Sequence, residues 1–557
     1  MVRTFETHHV RSVQELSGSL WDFSPLGGDF AGRHYVVPVP SCWETYPDFS
    51  SYRGEGVYTT RFTAEGMVRL VFKGVSHTAV VLVDGCEVGR HYNAYNIFSI
   101  VVNGLVPGQH ILEVQVDNRF SEASALHIPN DYMTYGGIIR PVVLEHLHGP
   151  YLKQVHFIPS GAVDAWSGVI EATVANPDCA VHTVCAQSTL AGQTLALGTV
   201  TLGAGEEAIL RCEGSFIANA WMPESPVLYL LDTTLTENGA PVDDLIERVG
   251  FRTVEVHGDA ILLNGRRVRI KGFCRHEDHP QFGCALCYTA IAQDLNLMRD
   301  LGANSVRTSH YPNDELFLDL CDEMGFLVWE ENHARGLSEE QMRNENFQRQ
   351  CADCIAEMIP AHYNHPCIYL WGILNECASE TQYGYTCYKT QFAQIHTLDE
   401  SRPRSFASCK FKSDLCLGLP EIVSYNIYPK WYHDAPVAEY LDDLYQWVQR
   451  ETDGAGKPFI ISEIGAGAIY GNRTSSRDKW SEEYQSDALC EQVSAVLTHP
   501  GCTGLYIWQF CDVRVSREWF YCRPRTMNNK GIVDEYRRRK LAYDVVKKLY
   551  HSVGNYF

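Results

Sequence analysis

The chain has 557 residues, 45% of them hydrophobic and 20% charged, a globular composition that excludes a disordered or low-complexity protein. Its formal net charge of −22 argues against nucleic acid and against an anionic membrane surface as partners. No apolar run reaches the roughly 18 residues of a spanning helix. Met1–Ser17 carries Glu6, His8, His9 and Glu15 and lacks the apolar core of a secretory signal, so a cytoplasmic location is expected. At about 150 residues per domain, the length predicts three to four domains.

Twenty cysteines are scattered over the whole chain, which predicts reduced thiols rather than a disulfide scaffold. Two Cys-x-x-Cys pairs, Cys284/Cys287 and Cys351/Cys354, stand more than 60 residues apart. The second falls in a helical pattern, so small buried side chains are expected, with no metal and no other cofactor.

Residues 1–150 read as all-β. Val80–Val83 meets Asp84-Gly85 and then Cys86–Val88, the pattern of a hairpin with a tight two-residue turn. Ile111–Asp117 alternates apolar and polar like a half-buried strand. A β-sandwich follows. Residues 151–255 are again β-rich, with strands expected at Val169–Val174, His182–Thr189, Ala208–Cys212 and Val227–Thr236. Short strands with Gly, Pro and Asn between them predict an immunoglobulin-like β-sandwich. No titratable cluster lies in it, so packing and spacing are its expected work.

From 256 to 557 apolar runs alternate with amphipathic stretches such as Ala290–Leu301 and Asp487–Leu497. Strands are expected at Val268–Phe273, Ser305–Thr308, Leu327–Glu330, Ile368–Trp371, Ser405–Ala407, Ile422–Tyr425, Phe459–Ser462 and Gly504–Trp508. Eight such alternations in about 300 residues fit a (β/α)8 TIM barrel better than a doubly wound sheet, for which a Gly-rich phosphate loop is missing.

A barrel of this kind carries its chemistry at the C-terminal ends of its strands. The fourth run ends on Asn375-Glu376 and the seventh on Glu463. A carboxylate closing an apolar strand is costly to desolvate without a role or a partner. Two of them facing one pocket suit glycoside hydrolysis: one donates a proton to the leaving oxygen and the other attacks the anomeric carbon. A structural ion pair explains a single strand-end Glu as well, but explains two less readily. Glu330, Glu331 and Asp512 also lie at strand ends and are read as orienting groups.

These residues sit in longer motifs, and with them the chain resembles the β-glucuronidases of glycoside hydrolase family 2 over nearly its whole length. Gly74-Val75, Asp84-Gly85 and Gly89-Arg90-His91 resemble the family's jelly-roll domain, and Tyr135-Gly-Gly-Ile-Ile-Arg140 resembles its closing motif. Lys271-Gly-Phe-Cys-Arg-His-Glu-Asp278, Gly302–Pro312, Asn375-Glu376 and Glu463-Ile-Gly465 resemble its barrel segments. The resemblance implies retention through a glycosyl-enzyme intermediate, with Glu376 as acid and then base, Glu463 as nucleophile, and Asn375 on the 2-hydroxyl. It places Asn426, Tyr428 and Tyr432 at the sugar or the nucleophile, His310 in the Thr-Ser-His motif, and Trp508 as a stacking platform. Asp131 matches a residue that reaches the barrel site and reads the 4-hydroxyl. Asn528-Asn529-Lys530-Gly531 resembles the Asn-x-Lys signature that binds the uronate carboxylate. A lysine charge beside an amide can hold a carboxylate and reject a neutral hydroxymethyl group, although the same four residues are also ordinary turn chemistry.

The sequence departs from that pattern at Arg335, where a small apolar residue is expected. An arginine there can add a second carboxylate partner or donate to a 4-hydroxyl, so β-D-galacturonides are carried beside β-D-glucuronides as substrates. The short stretch between Gly336 and Tyr363 predicts an open cleft. A β-galactosidase is disfavoured by Lys530, a non-catalytic carbohydrate-binding protein by the presence of both Glu residues, and a metal hydrolase built on His276-Glu-Asp-His279 by the lack of a third ligand. The expected partner is a small-molecule glycoside or oligosaccharide, and homo-oligomerisation stays open. Because the predicted substrate is an anion and the protein is acidic, binding is expected to rest on local cations, Lys530 first and Arg335 second.

Overall fold

The computed structural model describes residues 1–162 and 165–557. In the first domain two long strands, Glu55–Phe72 and Phe98–Asp117, pair antiparallel along almost their full length, from Glu55↔Asp117 to Phe72↔Phe98. Together with Val142–Leu147, Thr78–Val83, Cys86–Tyr92 and shorter strands they form an eight-stranded sheet. Its jelly-roll core holds Trp21, Phe23, Trp43, Tyr58, Leu70 and Leu112. The expected hairpin turns at Asp84 (φ 50°) and Gly85 (φ 77°), the left-handed pair that a two-residue turn between right-twisted strands requires.

The second β region is a sandwich of three strands (Tyr151–Ala162, Ala165–Ala175, Glu207–Phe216) on four (Gln193–Leu202, His182–Leu190, Tyr229–Glu237, Ala240–Val249), the division of an immunoglobulin-like domain. Trp166, Phe157, Phe216 and Phe251 fill it. Three of these strands do not stand out in the sequence. Gln193–Leu202 buries only Leu197 and Leu202, and Ala240–Val249 carries Asp243, Asp244 and Arg248 inward, so its apolar alternation is broken.

Eight parallel strands then close a barrel: β1 (Ile270–Cys274), β2 (Ser305–Arg307), β3 (Leu327–Glu331), β4 (Ile368–Ile373), β5 (Arg404–Ser408), β6 (Val423–Asn426), β7 (Phe459–Ile464) and β8 (Cys502–Ile507). All eight expected strands are present. Their near-continuous burial explains why they read as unbroken apolar runs rather than as alternation. Cys351 and Cys354 are buried within the helix Phe347–His362, whereas Cys287 is exposed at the start of another helix, Tyr288–Asp300.

The stretch Asn130–Arg140 ties the jelly roll to the top of the barrel. The Arg140 guanidinium donates to Glu277 (2.8 Å) and to the carbonyls of Pro312 (2.7 Å) and Tyr95 (2.6 Å). The Tyr135 hydroxyl donates to Asp278 at 2.9 Å, and the Tyr132 ring stacks on His276 at 4.5 Å. The acidic and imidazole groups of His276-Glu-Asp-His279 therefore have separate partners. His276, Glu277 and Asp278 brace the jelly roll against β1, each through its own partner, instead of converging on one point. This bracing carries Asp131 into the barrel mouth.

Candidate active site

At the C-terminal ends of the strands lies a cavity of about 240 Å³. Nine of the twelve expected site residues line it: Asp131, Arg335, Glu376, Asn426, Tyr428, Tyr432, Glu463, Trp508 and Lys530. The other three, His310, Asn375 and Asn528, are buried at 1% exposure and bonded to residues of the same network.

Glu463 ends β7. Its Oε1 accepts from Arg307 at 3.1 Å and its Oε2 from the Tyr428 hydroxyl at 2.6 Å. Arg307, at the end of β2, is the hub beneath the site: it also donates twice to Glu331 (3.0 Å each) and once to Asn375 Oδ1 (2.7 Å). Glu331 in turn meets His310 Nδ1 at 2.8 Å. Fully buried and paired on three sides, Arg307 is a fixed positive charge under the cavity floor.

Glu376 follows β4 on a distorted backbone, with φ 47° at Leu374 and 55° at Glu376. Non-glycine residues in this region are held there by their surroundings, typically at functional sites. Asn426 Nδ2 donates to Glu376 Oε1 at 2.9 Å and to Asn375 Oδ1 at 3.1 Å, and its own Oδ1 is fixed by Ser462 at 2.8 Å. With Asn375 Oδ1 occupied twice, its buried Nδ2 has no hydrogen-bond partner among the described residues. That is a free donor of the kind a sugar hydroxyl would use.

Burial pushes the Glu463 carboxyl up to about 8, the Glu376 carboxylate adding to it while Arg307 and Tyr428 pull the other way. Two carboxylates in one cavity oppose each other's ionisation. The donors on Glu463, Arg307 and Tyr428, favour its charged form.

In the same cavity the Lys530 ammonium donates to the Tyr432 hydroxyl at 2.8 Å and lies 4.9–5.6 Å from the ring centroids of Tyr432, Tyr428 and Trp431. Tyr432 is opposed in ionising by burial, yet the neighbouring Lys530 brings its phenol below the usual value. Asn528-Asn529-Lys530-Gly531 is not a solvated turn: Asn528, Asn529 and Lys530 are all buried. A Cβ on Gly531 would stand 2.2 Å from the Asp512 nitrogen, so the backbone approach itself requires glycine. Trp508 is buried, stacks face to face on His310 (5.1 Å, 13°) and lines the cavity.

Asp131 is caged. Its Oδ1 lies 3.2 Å from Arg335, and its Oδ2 accepts from Arg523 at 2.9 Å and Asn528 at 3.1 Å. Against burial, Arg335 and Arg523 hold the carboxyl well below its usual range. Arg335 also stands 3.6 Å from Glu376, and a bridge between Arg335 and Asn375 fixes its backbone beside the end of β4. Sequence reasoning missed Arg307, Arg523 and Trp519. Arg307 was visible as the last residue of a strand within a quoted motif; Arg523, in Arg-Pro-Arg just before Asn528, reads as a solvated basic loop.

Residues 254–555 match the family model for the TIM barrel domain of the family 2 glycosyl hydrolases. The chain belongs to glycoside hydrolase family 2. It is similar to a family 2 β-galacturonidase from Eisenbergiella tayi, solved bound to galacturonate, with 60% identity and a TM-score of 0.98 over all of both chains. It is also similar to a β-glucuronidase from Paenibacillus borealis, 27% identical over 98% of each chain. The β-glucuronidase from Bifidobacterium dentium, at 24% identity and a TM-score of 0.87 over 98% of each chain, shares the fold.

Proposed function

We propose that this protein is a retaining exo-β-uronidase that removes terminal β-D-glucuronate from small-molecule glycosides or oligosaccharides. The observation that carries the reading is one cavity lined by both the Glu376/Glu463 pair and the Lys530 ammonium. Lys530 lies among three aromatic rings, where a substrate carboxylate supplies the countercharge that a neutral hydroxymethyl group cannot.

In the proposed mechanism Glu376 protonates the glycosidic oxygen as Glu463 attacks C1 and the C–O bond breaks. Glu376, now ionised, takes a proton from water, whose oxygen attacks C1 and releases Glu463, so the configuration is retained. Asn375 Nδ2 would donate to the 2-hydroxyl, and Arg307 and Tyr428 release Glu463 to its ionised form.

A second reading, β-D-galacturonide hydrolysis, is favoured by the cage around Asp131. Its Oδ2 accepts from Arg523 and Asn528 while its buried Oδ1, 3.2 Å from the Arg335 guanidinium, makes no hydrogen bond among the described residues, which sets two guanidinium groups beside one carboxylate in the cavity wall, and the 60% identical relative is a β-galacturonidase. A panel of nitrophenyl β-glycosides tests both readings. Turnover of either uronide well above the galactoside is expected, and a galactoside rate exceeding both uronides contradicts the proposal. Arg335→Ala should change the galacturonide-to-glucuronide ratio of kcat/KM by about tenfold; an unchanged ratio removes Arg335 from the choice of epimer. All twenty cysteines are free thiols, which supports a cytoplasmic location; fractionation of source cells tests it.

A further inference from the structure

The cavity is lined by several different parts of the molecule. Asp131, Arg523 and Lys530 enter from the jelly roll and from the chain after β8. The stretches after β5 and β6 also line it, through Cys409, His433 and Tyr440. Glu376, whose proposed task is to protonate the leaving oxygen, is held by Asn426 of β6. At about 240 Å³ the cavity falls below the usual size of a drug-binding pocket, roughly 300–1,000 Å³. A ring attached to the leaving oxygen must therefore rest on the rim.

The rim at these stretches is aromatic. Tyr440, in the helix Val437–Glu451, lies between Phe411 (5.1 Å, tilted 37°) and His433 (5.6 Å, 19° from parallel). Lys412 covers Phe411 at 5.5 Å and pairs with Asp443 at 2.6 Å. His433 is exposed and Tyr440 half-buried. The catalytic proposal uses none of the three rings.

We propose that Tyr440 and His433, with Phe411 packed behind Tyr440, form an aglycone ledge that stacks a leaving group with a flat apolar face, either a second pyranose or an aryl ring. Aromatic rings offer such faces a broad, polarisable surface at little entropic cost. The proposal rests on the uronidase reading. The leaving group departs after the first bond-breaking step, so the ledge acts on kcat/KM of glycosides and not on binding of the free uronic acid.

The test compares wild type, Tyr440→Ala, Tyr440→Phe and the double variant Tyr440→Ala/His433→Ala. Substrates are the methyl β-uronide, the nitrophenyl β-uronide and a disaccharide ending in the same uronic acid, with inhibition by that free acid measured alongside. The double variant should lose about tenfold in kcat/KM on the nitrophenyl uronide, the disaccharide or both, with the methyl uronide within twofold and the inhibition constant unchanged. Tyr440→Phe should retain wild-type values. A loss on the nitrophenyl uronide alone identifies an aryl ledge and a loss on the disaccharide alone a sugar ledge. An equal loss on all three substrates, or none on any, overturns the ledge. A wild type inactive on every uronide overturns the uronidase reading and the ledge with it.

Discussion

Arg307 shows how much of the site rests on single buried groups. Four of its hydrogen bonds go to Glu331, Glu463 and Asn375, which lie 24, 156 and 68 positions away in the chain. A charge at 0% side-chain exposure is tolerated because every face of it is paired. Arg307 works against the burial and the Glu376 carboxylate that push Glu463 up to about 8. As pH rises through that value, the carboxylate pair is expected to lose its last proton. Both carboxylates are then ionised, no acid remains, and kcat/KM should fall. Glu376→Gln removes that proton. On a nitrophenyl uronide, whose leaving group departs without protonation, the alkaline limb of the pH profile should disappear from that variant. A limb persisting unchanged in Glu376→Gln would assign the proton elsewhere.

At the scale of elements, the barrel strands and the carboxylates that close β4 and β7 were legible because burial on both faces turns each strand into a short apolar run with an abrupt polar end. The cage around Asp131 was not, because it joins a loop of the jelly roll to two arginines on separate barrel loops, and no local periodicity encodes such a meeting. The same holds for the strand Ala240–Val249 of the second sandwich, where inward acidic groups, Asp243 among them satisfied by Arg11 at 2.7 Å, break the alternation. The element that brings Asp131 inward is held by the Arg140–Glu277 pair, both side chains at 2% exposure or less. Arg140→Met leaves Glu277 buried without its countercharge. It should cost about 3–5 kcal/mol of stability and lower kcat/KM, with thermal unfolding and uronide kinetics as the measurements. Stability within 1 kcal/mol of wild type, a difference at the scale of ordinary substitutions, would contradict the bracing role.

Over the whole molecule, a net charge of −22 surrounds a small cationic pocket for an anion. The pocket's cations are sheltered, with side-chain exposures of 15% for Arg335 and 11% for Arg523, so salt screens them little, while it screens the exposed acidic surface well. Raising sodium chloride from about 10 to about 150 mM, across the range where the Debye length falls to roughly 8 Å, should therefore raise kcat/KM on a uronide modestly. A tenfold fall would mean that exposed cations, and not the buried ones, attract the substrate.

The central claim is that Glu463 forms the covalent bond to the sugar. It is tested most directly by Glu463→Ala assayed on the preferred nitrophenyl uronide with and without sodium azide. The account predicts a loss of at least about a thousandfold in kcat, partial recovery with azide, and an α-uronosyl azide as the product, because the small anion attacks from the face that Glu463 vacates. Near-wild-type turnover by Glu463→Ala, or a rescued product of β configuration, would contradict it.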